Sequence, residues 1–339
     1  MSIEQKSPFA FNVLGLDIGG TEIKAAVVNR KGDIIASHRA STPGTLSDFQ
    51  EAVKTLARHL RLVDASIRGV GVGCKGIIDH HTTEVLALPG ELNYLQGRRL
   101  SEILGPLVPA PCPVAADNDA RVALIGEHQW GAARGRQNAI MLTLGTGVGG
   151  AILAEGKIMR GTGGIAGHLG HVTVDPNGAL CICGNRGCLE TVFSARAIEA
   201  EVFAAIHRGV KTQLLKTNSH SRTLTCNDIF DCARKGDEVA RIVVERATFV
   251  LGSAIAGLVH ILDPEIVILG GQISQAGDFL FNPIQREVDC RTRYLVCRKV
   301  PIVRSQIAEP SGVVGAAALA IEAAASASTT SPIGSSWRQ

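Results

Sequence analysis

VLGLDIGGTEIKAAVV, residues Val13 to Val28, is an apolar run, a glycine-rich turn and a second apolar run. The turn Arg30 to Asp33 and another strand-like piece, Ile34 to His38, follow it. Alternation of this kind, broken by turn residues, predicts a meander of strands. The plan recurs in AIMLTLGTGVGGAILAEGKI, Ala139 to Ile158, where Gly145 and Gly147 make the turn and Glu155 to Lys157 the charged end. Self-similarity of this sort predicts two related halves. A chain of 339 residues agrees, because one hydrophobic core rarely grows so large and a second lobe is the usual solution.

Between the two glycine turns, apolar spacing predicts a helix over Leu46–Leu62 and short strands around Gly69–Gly73 and Pro113–Ala116. Helices alternating with strands make each lobe α/β. After the second turn come a loop-rich stretch, Gly161–Gly187, and helices from about Ala195 and Asn227. A long helix over Asp237–Leu262, a strand Glu265–Leu269 running into Gly270-Gly271, a strand Val300–Val303 and an Ala-rich helix from about Gly312 complete the order. The expected organisation is an N-terminal extension (1–12), an N-terminal lobe (13–130), a C-terminal lobe (131–325) whose last helix is free to return to the first lobe, and a Ser-rich mobile tail (326–339).

Composition excludes several classes. With 45% hydrophobic and 19% charged residues the chain can bury enough surface to fold. A formal charge of +3, with Arg98-Arg99 as its most basic patch, argues against nucleic acid as a partner. The start lacks the basic end and apolar core of an export signal, so the cytoplasm is the expected location. The apolar stretch Ala247–Leu262 is interrupted by Gly252, Ser253, Gly257 and His260 and reads as a buried helix, not a membrane span.

Glycines flanked by strands, with Asp or Thr at the tip, are what a phosphate chain and its Mg²⁺ require. Asp17-Ile18-Gly19-Gly20-Thr21 and Gly145-Thr146-Gly147 both qualify. Either alone could be an ordinary hairpin; two, one per half, point to a nucleotide held from both sides. Gly145, Gly147 and Gly150 also satisfy G-x-G-x-x-G, but a strand and not a helix is expected to follow, so that match reads as accidental. No Walker-type segment exists in the chain.

Nine cysteines is an odd number, and three of them crowd between Cys181 and Cys188. His171, Cys181, Cys183 and Cys188 supply one imidazole and three thiolates, the donor set of a closed, structural Zn²⁺ site. Such a metal could pin the nearby His168 and Glu190. Asp117, Asn118 and Asp119 lie between a strand and a helix-like run. There they could cap the helix, or a carboxylate could take a proton from a substrate hydroxyl. Position alone leaves both readings open.

Together, Asp17–Thr21, Asn118-Asp119, Leu144–Gly150, Gly170-His171, the run from Cys181 to Glu190 and Leu269–Gly271 resemble the ROK family of bacterial sugar kinases and sugar-responsive repressors. The likeness spans about Val13 to Ala325. It implies a two-lobed actin-like ATPase (ribonuclease H-like) fold with an interlobe cleft. It also implies a glucokinase-like kinase using ATP, Mg²⁺ and a structural Zn²⁺, and a homodimer. By resemblance Asp119 is the catalytic base, while Asn118, Glu190 and His171 contact the sugar. Asp17, Gly19, Gly20, Thr21, Gly145, Thr146 and Gly147 form the phosphate and Mg²⁺ turns, and Gly270 and Gly271 the adenosine side. The chemistry agrees: phosphoryl transfer asks for alignment, charge neutralisation and one carboxylate.

Two departures bear on the sugar. Where the family usually has Glu before the Gly-His step, this chain has His168, so an imidazole replaces a carboxylate that accepts two hydroxyls. A sugar-side Gly-x-Pro-Gly turn reads Gly73-Cys74-Lys75-Gly76, which adds a cation. A sugar preference other than glucose, or poor activity on it, is therefore expected. A non-catalytic sugar sensor is the alternative. A DNA-binding repressor is disfavoured because twelve residues before Val13 are too few for a helix-turn-helix, and the cysteine loop disfavours an actin-like ATPase with no sugar substrate.

Overall fold

The alternation in Val13–Val28 folds as β1 (Asn12–Ile18) and β2 (Glu22–Asn29), an antiparallel hairpin continued by β3 (Ile34–Ser41). These belong to a computed structural model that describes residues 11–63, 66–88, 90–108, 112–214, 224–295, 297–307 and 310–329. The expected extension (1–12) and tail (326–339) therefore fall mostly outside the described residues. Two compact units divide the chain: lobe 1, from described residues within 1–134, 162–164 and 306–339, and lobe 2, from those within 135–161 and 165–305. The described residues of 131–134, 162–164 and 306–329 thus group with lobe 1; for the last helix this is the return to the first lobe that the sequence left open, while 131–134 and 162–164 lie outside the expected bounds of that lobe.

In lobe 1 the meander is followed by α1 (Leu46–Val63), β4 (Ile67–Cys74), the small hairpin β5 (Ile77–Asp79) and β6 (Glu84–Ala87), α2 (Leu100–Leu104), β7 (Val114–Asn118) and α3 (Asp119–Trp130). The sheet order is β3-β2-β1-β4-β7, with β1, β4 and β7 parallel. Central parallel strands are covered on both faces, which explains their unbroken apolar runs. One face packs on α1, whose Phe49, Val53, Leu56 and Leu60 are buried with Leu14, Leu16, Val70 and Val72.

Lobe 2 repeats the plan with β8 (Ala139–Leu144), β9 (Val148–Ala154), β10 (Lys157–Ile158), α4 (Glu190–Phe193), α5 (Ala195–His207), α6 (Cys226–Arg234), α7 (Glu238–Leu262), β11 (Ile266–Gly270), α8 (Asp278–Thr292) and β12 (Ile302–Arg304). Its order, β10-β9-β8-β11-β12, matches lobe 1 strand for strand, with β8, β11 and β12 parallel. By length and composition α7 could cross a membrane. In lobe 2 it is the core helix, with Val244, Ala247, Leu251, Ile255 and Val259 buried against Ile284 and Val288 of α8.

The last helix, α9 (Ser311–Thr329), packs on β1, β4 and α3. It runs to Thr329, beyond the Ala325 boundary expected from sequence, because Ala-rich sequence favours helix and no Gly or Pro intervenes. Small residues allow its close approach: a Cβ on Gly71 would lie 1.7 Å from the Ala316 carbonyl oxygen, and one on Gly315 would lie 2.2 Å from that of Val122. β12 begins at Ile302 instead of Val300; Pro301 before it has no N–H to donate, and only its carbonyl joins β11, accepting from Val267 N–H (3.0 Å).

Candidate active site

In lobe 1 the site residues gather where the parallel strands end. Register pairs Ile18 with Cys74 and Cys74 with Asn118, so β1, β4 and β7 leave the sheet at one level. There they deliver the Gly19-Gly20-Thr21 turn, Lys75-Gly76 and Asp119. The carboxyl ends of parallel strands are where open α/β sheets bind ligands.

The turn is braced from outside. Gly19 N–H donates to the Glu22 carbonyl (3.1 Å), and Thr42 Oγ1 donates to the Gly19 carbonyl (2.7 Å). Asp17 keeps a half-buried carboxylate 3.9 Å from Lys24 Nζ. A Cβ on Gly312, in the first turn of α9, would lie 2.6 Å from Asp17 Oδ2. A carboxylate beside a helix N-terminus is favoured by the helix dipole.

Asn118 caps α3: its Oδ1 accepts from Ala120 N–H (3.0 Å) and more weakly from Arg121 N–H (3.4 Å), and its Nδ2 donates to the Gly76 carbonyl (3.0 Å). Asp119, the first residue of α3, is half-buried, and its Oδ1 accepts from Ala120 N–H at 2.9 Å. Beneath the pair, Asp117 accepts from Asn118 N–H (2.8 Å) and from Arg121 Nη1 (3.1 Å), and Arg121 Nη2 donates to the Gly164 carbonyl (2.6 Å). Asp117 and Arg121 are both fully buried, so the strand end that carries Asn118 and Asp119 rests on a buried ion pair.

In lobe 2, Gly145-Thr146-Gly147 joins two strands, β8 and β9, so the G-x-G-x-x-G match lacks the helix a dinucleotide site needs. Glu190 lies against this turn. Its Oε2 accepts from Val148 N–H (2.9 Å), and a Cβ on Gly147 would lie 2.4 Å from the same oxygen, so only glycine leaves room for the carboxylate. Gly271, at φ +80°, packs on Leu144, which puts the Gly270-Gly271 end of β11 beside the same turn. His168 and His171 flank a short turn of helix; their rings are near parallel at 6.4 Å, and His168 Nδ1 lies 3.0 Å from the Ile165 carbonyl oxygen.

His171, Cys181, Cys183 and Cys188 converge, with all four candidate donor atoms within 4.8 Å of one another. Cys181 Sγ is 3.5 Å from His171 Nδ1, and Cys183 Sγ is 3.6 Å from Cys188 Sγ. A tetrahedral zinc with ordinary bond lengths places S···N at about 3.5 Å and S···S at about 3.8 Å. Burial and the neighbouring thiols push Cys188 up to about 12, and burial also raises Cys181. For Cys183, burial is outweighed by hydrogen bonds from the Asn185 backbone and its sister thiols, and its value is lowered. All nine cysteines are free of disulfides. Cys181 Sγ also lies 4.0 Å from Glu190 Oε1, which links the cysteine cluster to the glycine turn through one carboxylate.

A sequence model of the ROK family matches residues 13–323. The chain belongs to the ROK family. Among ROK relatives it is 33% identical to a glucokinase of Thermotoga maritima over 91% of this chain and 96% of that protein. It is 33% identical to an N-acetylmannosamine kinase of Yersinia pseudotuberculosis, covering 90% and 96%. Its fold superposes with a TM-score of 0.78 on a ROK glucokinase from Streptomyces griseus in complex with glucose and AMPPNP, at 30% identity and 92% and 99% coverage. The two matching sheets are the lobes of the actin-like ATPase fold that ROK glucokinases carry.

The structure thus collects Asp17, Gly19, Gly20, Thr21, Gly76, Asn118 and Asp119 at one edge of lobe 1. It gathers Gly145, Thr146, Gly147, Glu190, His171, Cys181, Cys183, Cys188, Gly270 and Gly271 around one turn of lobe 2, with His168 beside His171. Sequence reasoning missed Thr42, which braces the first turn, and the Arg121 partner of Asp117. Neither carries a motif, because each acts on a backbone carbonyl or an ion partner that only the fold brings near.

Proposed function

We propose that this chain phosphorylates a hexose or hexose derivative with ATP, with Asp119 as the general base. The observation that carries this reading is the common edge of β1, β4 and β7, where a glycine turn suited to phosphate and the half-buried Asp119 carboxylate end up two strands apart.

In the reaction, backbone N–H groups of the Gly19-Gly20 and Gly145-Gly147 turns hold phosphate oxygens, and Gly270-Gly271 supports the nucleoside. Asn118, fixed by its own cap, offers its remaining amide hydrogen to a sugar hydroxyl, and His171, Glu190, His168 and Gly76 complete the sugar contacts. Asp119 takes the proton of the attacking hydroxyl as the new O–P bond forms. ADP departs with the electron pair of the bond that breaks. Asp17 would hold Mg²⁺, which neutralises phosphate charge when bound.

The thiol and imidazole donors fit Zn²⁺ by number and spacing. With every position filled by protein, its role is to fix the loop that holds Glu190 on the second turn. A cytoplasmic homodimer completes the proposal. Unpaired thiols suit a reducing compartment, and the exposed Ile242 and Phe249 on α7 offer an apolar surface. The test is product analysis. Incubation with MgATP and a panel of hexoses and N-acetylhexosamines should yield a sugar monophosphate by mass spectrometry. Sugar binding by calorimetry with no phosphorylated product on any member would instead make the chain a sensor.

A further inference from the structure

The function proposed above leaves Lys75 unused. It follows Cys74, which the sheet register places between Ile18 and Asn118. Adjacent strands lie about 4.8 Å apart, so Lys75 leaves the sheet midway between the Gly19-Gly20 turn and Asp119. Its side chain is half-buried, not extended into water. Nζ lies 3.7 Å from the position a Cβ would take on Gly20 and 3.7 Å from that on Gly90. Among the described residues it makes neither a hydrogen bond nor an ion pair.

The surroundings are acidic. Glu91 Oε2 lies 2.7 Å from the Gly20 Cβ position, and Asp17 already has Lys24 as its ion partner. Buried beneath, the Cys74 thiol is raised first by burial and then by Asp119 and Asp17, and only Lys75 opposes them. A half-buried ammonium beside the Gly20 turn, with Glu91 at the same turn and Asp17 and Asp119 at the ends of the flanking strands, is placed as an electrostatic device, not a solvated surface charge. A phosphate chain arriving among Asp17, Glu91 and Asp119 needs a cation there.

We propose that Lys75 is a further catalytic residue, whose ammonium binds the phosphoryl group as it passes from ATP to the sugar oxygen held at Asp119. The step stays balanced. The sugar O–P bond forms, the bond to the β-phosphate oxygen of ADP breaks, Asp119 receives the hydroxyl proton, and Lys75 keeps its own protons and offsets the charge spread over the equatorial oxygens.

This inference rests on the kinase reading, so the experiment pairs turnover with binding. Wild type, Lys75→Met and Lys75→Arg are compared for kcat and for KM of ATP and of the best sugar, and calorimetry measures AMPPNP and ADP affinities. Lys75→Met should lower kcat by about 100-fold or more, leave the sugar KM within about twofold, and reduce the preference for AMPPNP over ADP. Lys75→Arg should restore part of both. An unchanged kcat and AMPPNP preference, or a loss found entirely in the sugar KM, overturns the assignment, the latter making Lys75 a sugar ligand. If wild type phosphorylates no hexose but Lys75→Met still loses AMPPNP preference, the kinase reading fails while Lys75 stands as a terminal-phosphate ligand. An active wild type matched by Lys75→Met in every readout leaves the kinase reading standing and refutes the role of Lys75.

Discussion

Asp117→Ala should unfold lobe 1 far more readily than its small change in volume suggests. Asp117 and Arg121 are an ion pair at 3.1 Å with side chains 0% and 1% exposed, and Asp117 also accepts from Asn118 N–H at 2.8 Å. Removing the carboxylate leaves a guanidinium buried without its counter-charge, at a cost of about 3–5 kcal/mol. Trp130, whose ring packs against Gly32 within lobe 1, reports on that lobe. In a Trp337→Phe background it becomes the single tryptophan. With a slope of about 4 kcal/mol/M in guanidinium, the midpoint should fall by roughly 1 M. The double variant Asp117→Ala/Arg121→Met removes both charges and should recover most of the loss. A single-variant midpoint within about 0.2 M of wild type, or a double variant no better than the single, would refute the reasoning.

Glycine substitutions should separate by what their Cβ meets. Gly71→Ala, with its Cβ 1.7 Å from the Ala316 carbonyl oxygen, should cost at least the upper end of about 1–3 kcal/mol by denaturant titration. Gly257→Ala, on the exposed face of α7 with nothing within 4 Å, should gain about 0.5–1 kcal/mol. Metal analysis should find one zinc per chain, and chelation should expose Cys181, Cys183 and Cys188 to thiol reagents; a metal-free protein whose three thiols all react from the start would contradict the site. Asp237, the N-cap of α7, is driven up by burial but more strongly down by hydrogen bonds from Ala240 N–H, Gln213 N–H and Thr212 Oγ1, for a net lowering. The stability it confers is present above its unfolded value of about 3.9 and lost as pH falls through its lower folded value. Asp237→Asn should flatten the acid limb of a stability-against-pH curve, and an unchanged limb would argue against this assignment.

The strands and helices are legible in the sequence wherever one period dominates. Val13–Val28 and Ala139–Ile158 alternate around glycine, and Leu46–Leu62 keeps helical spacing, so hairpins and α1 follow from local sequence. The cysteine cluster is legible because three of its four residues lie close in sequence, a spacing that by itself restricts the chemistry. What escapes depends on long-range closure. Glu127, buried at 1% exposure, accepts from Ala132 N–H and, nearly 180 residues later, from Gln306 and Ile307 N–H. Nothing around a lone Glu in a helix announces that it ties the end of α3 to the segment leading into α9. The same holds for Thr42 on the Gly19 carbonyl. Lys75 is legible as an odd cation but not as a phosphate-side group, since that needs the register of β1, β4 and β7.

The most direct test compares wild type with Asp119→Asn in a coupled assay of sugar-dependent ADP formation, with ATP and sugar affinities measured on both. Asn keeps the shape and much of the hydrogen bonding but cannot take a proton, so kcat should fall by about 10²–10⁴ while both ligands still bind. Equal rates for the two proteins on every sugar that wild type turns over would contradict Asp119 as the base, and with it the account of this site.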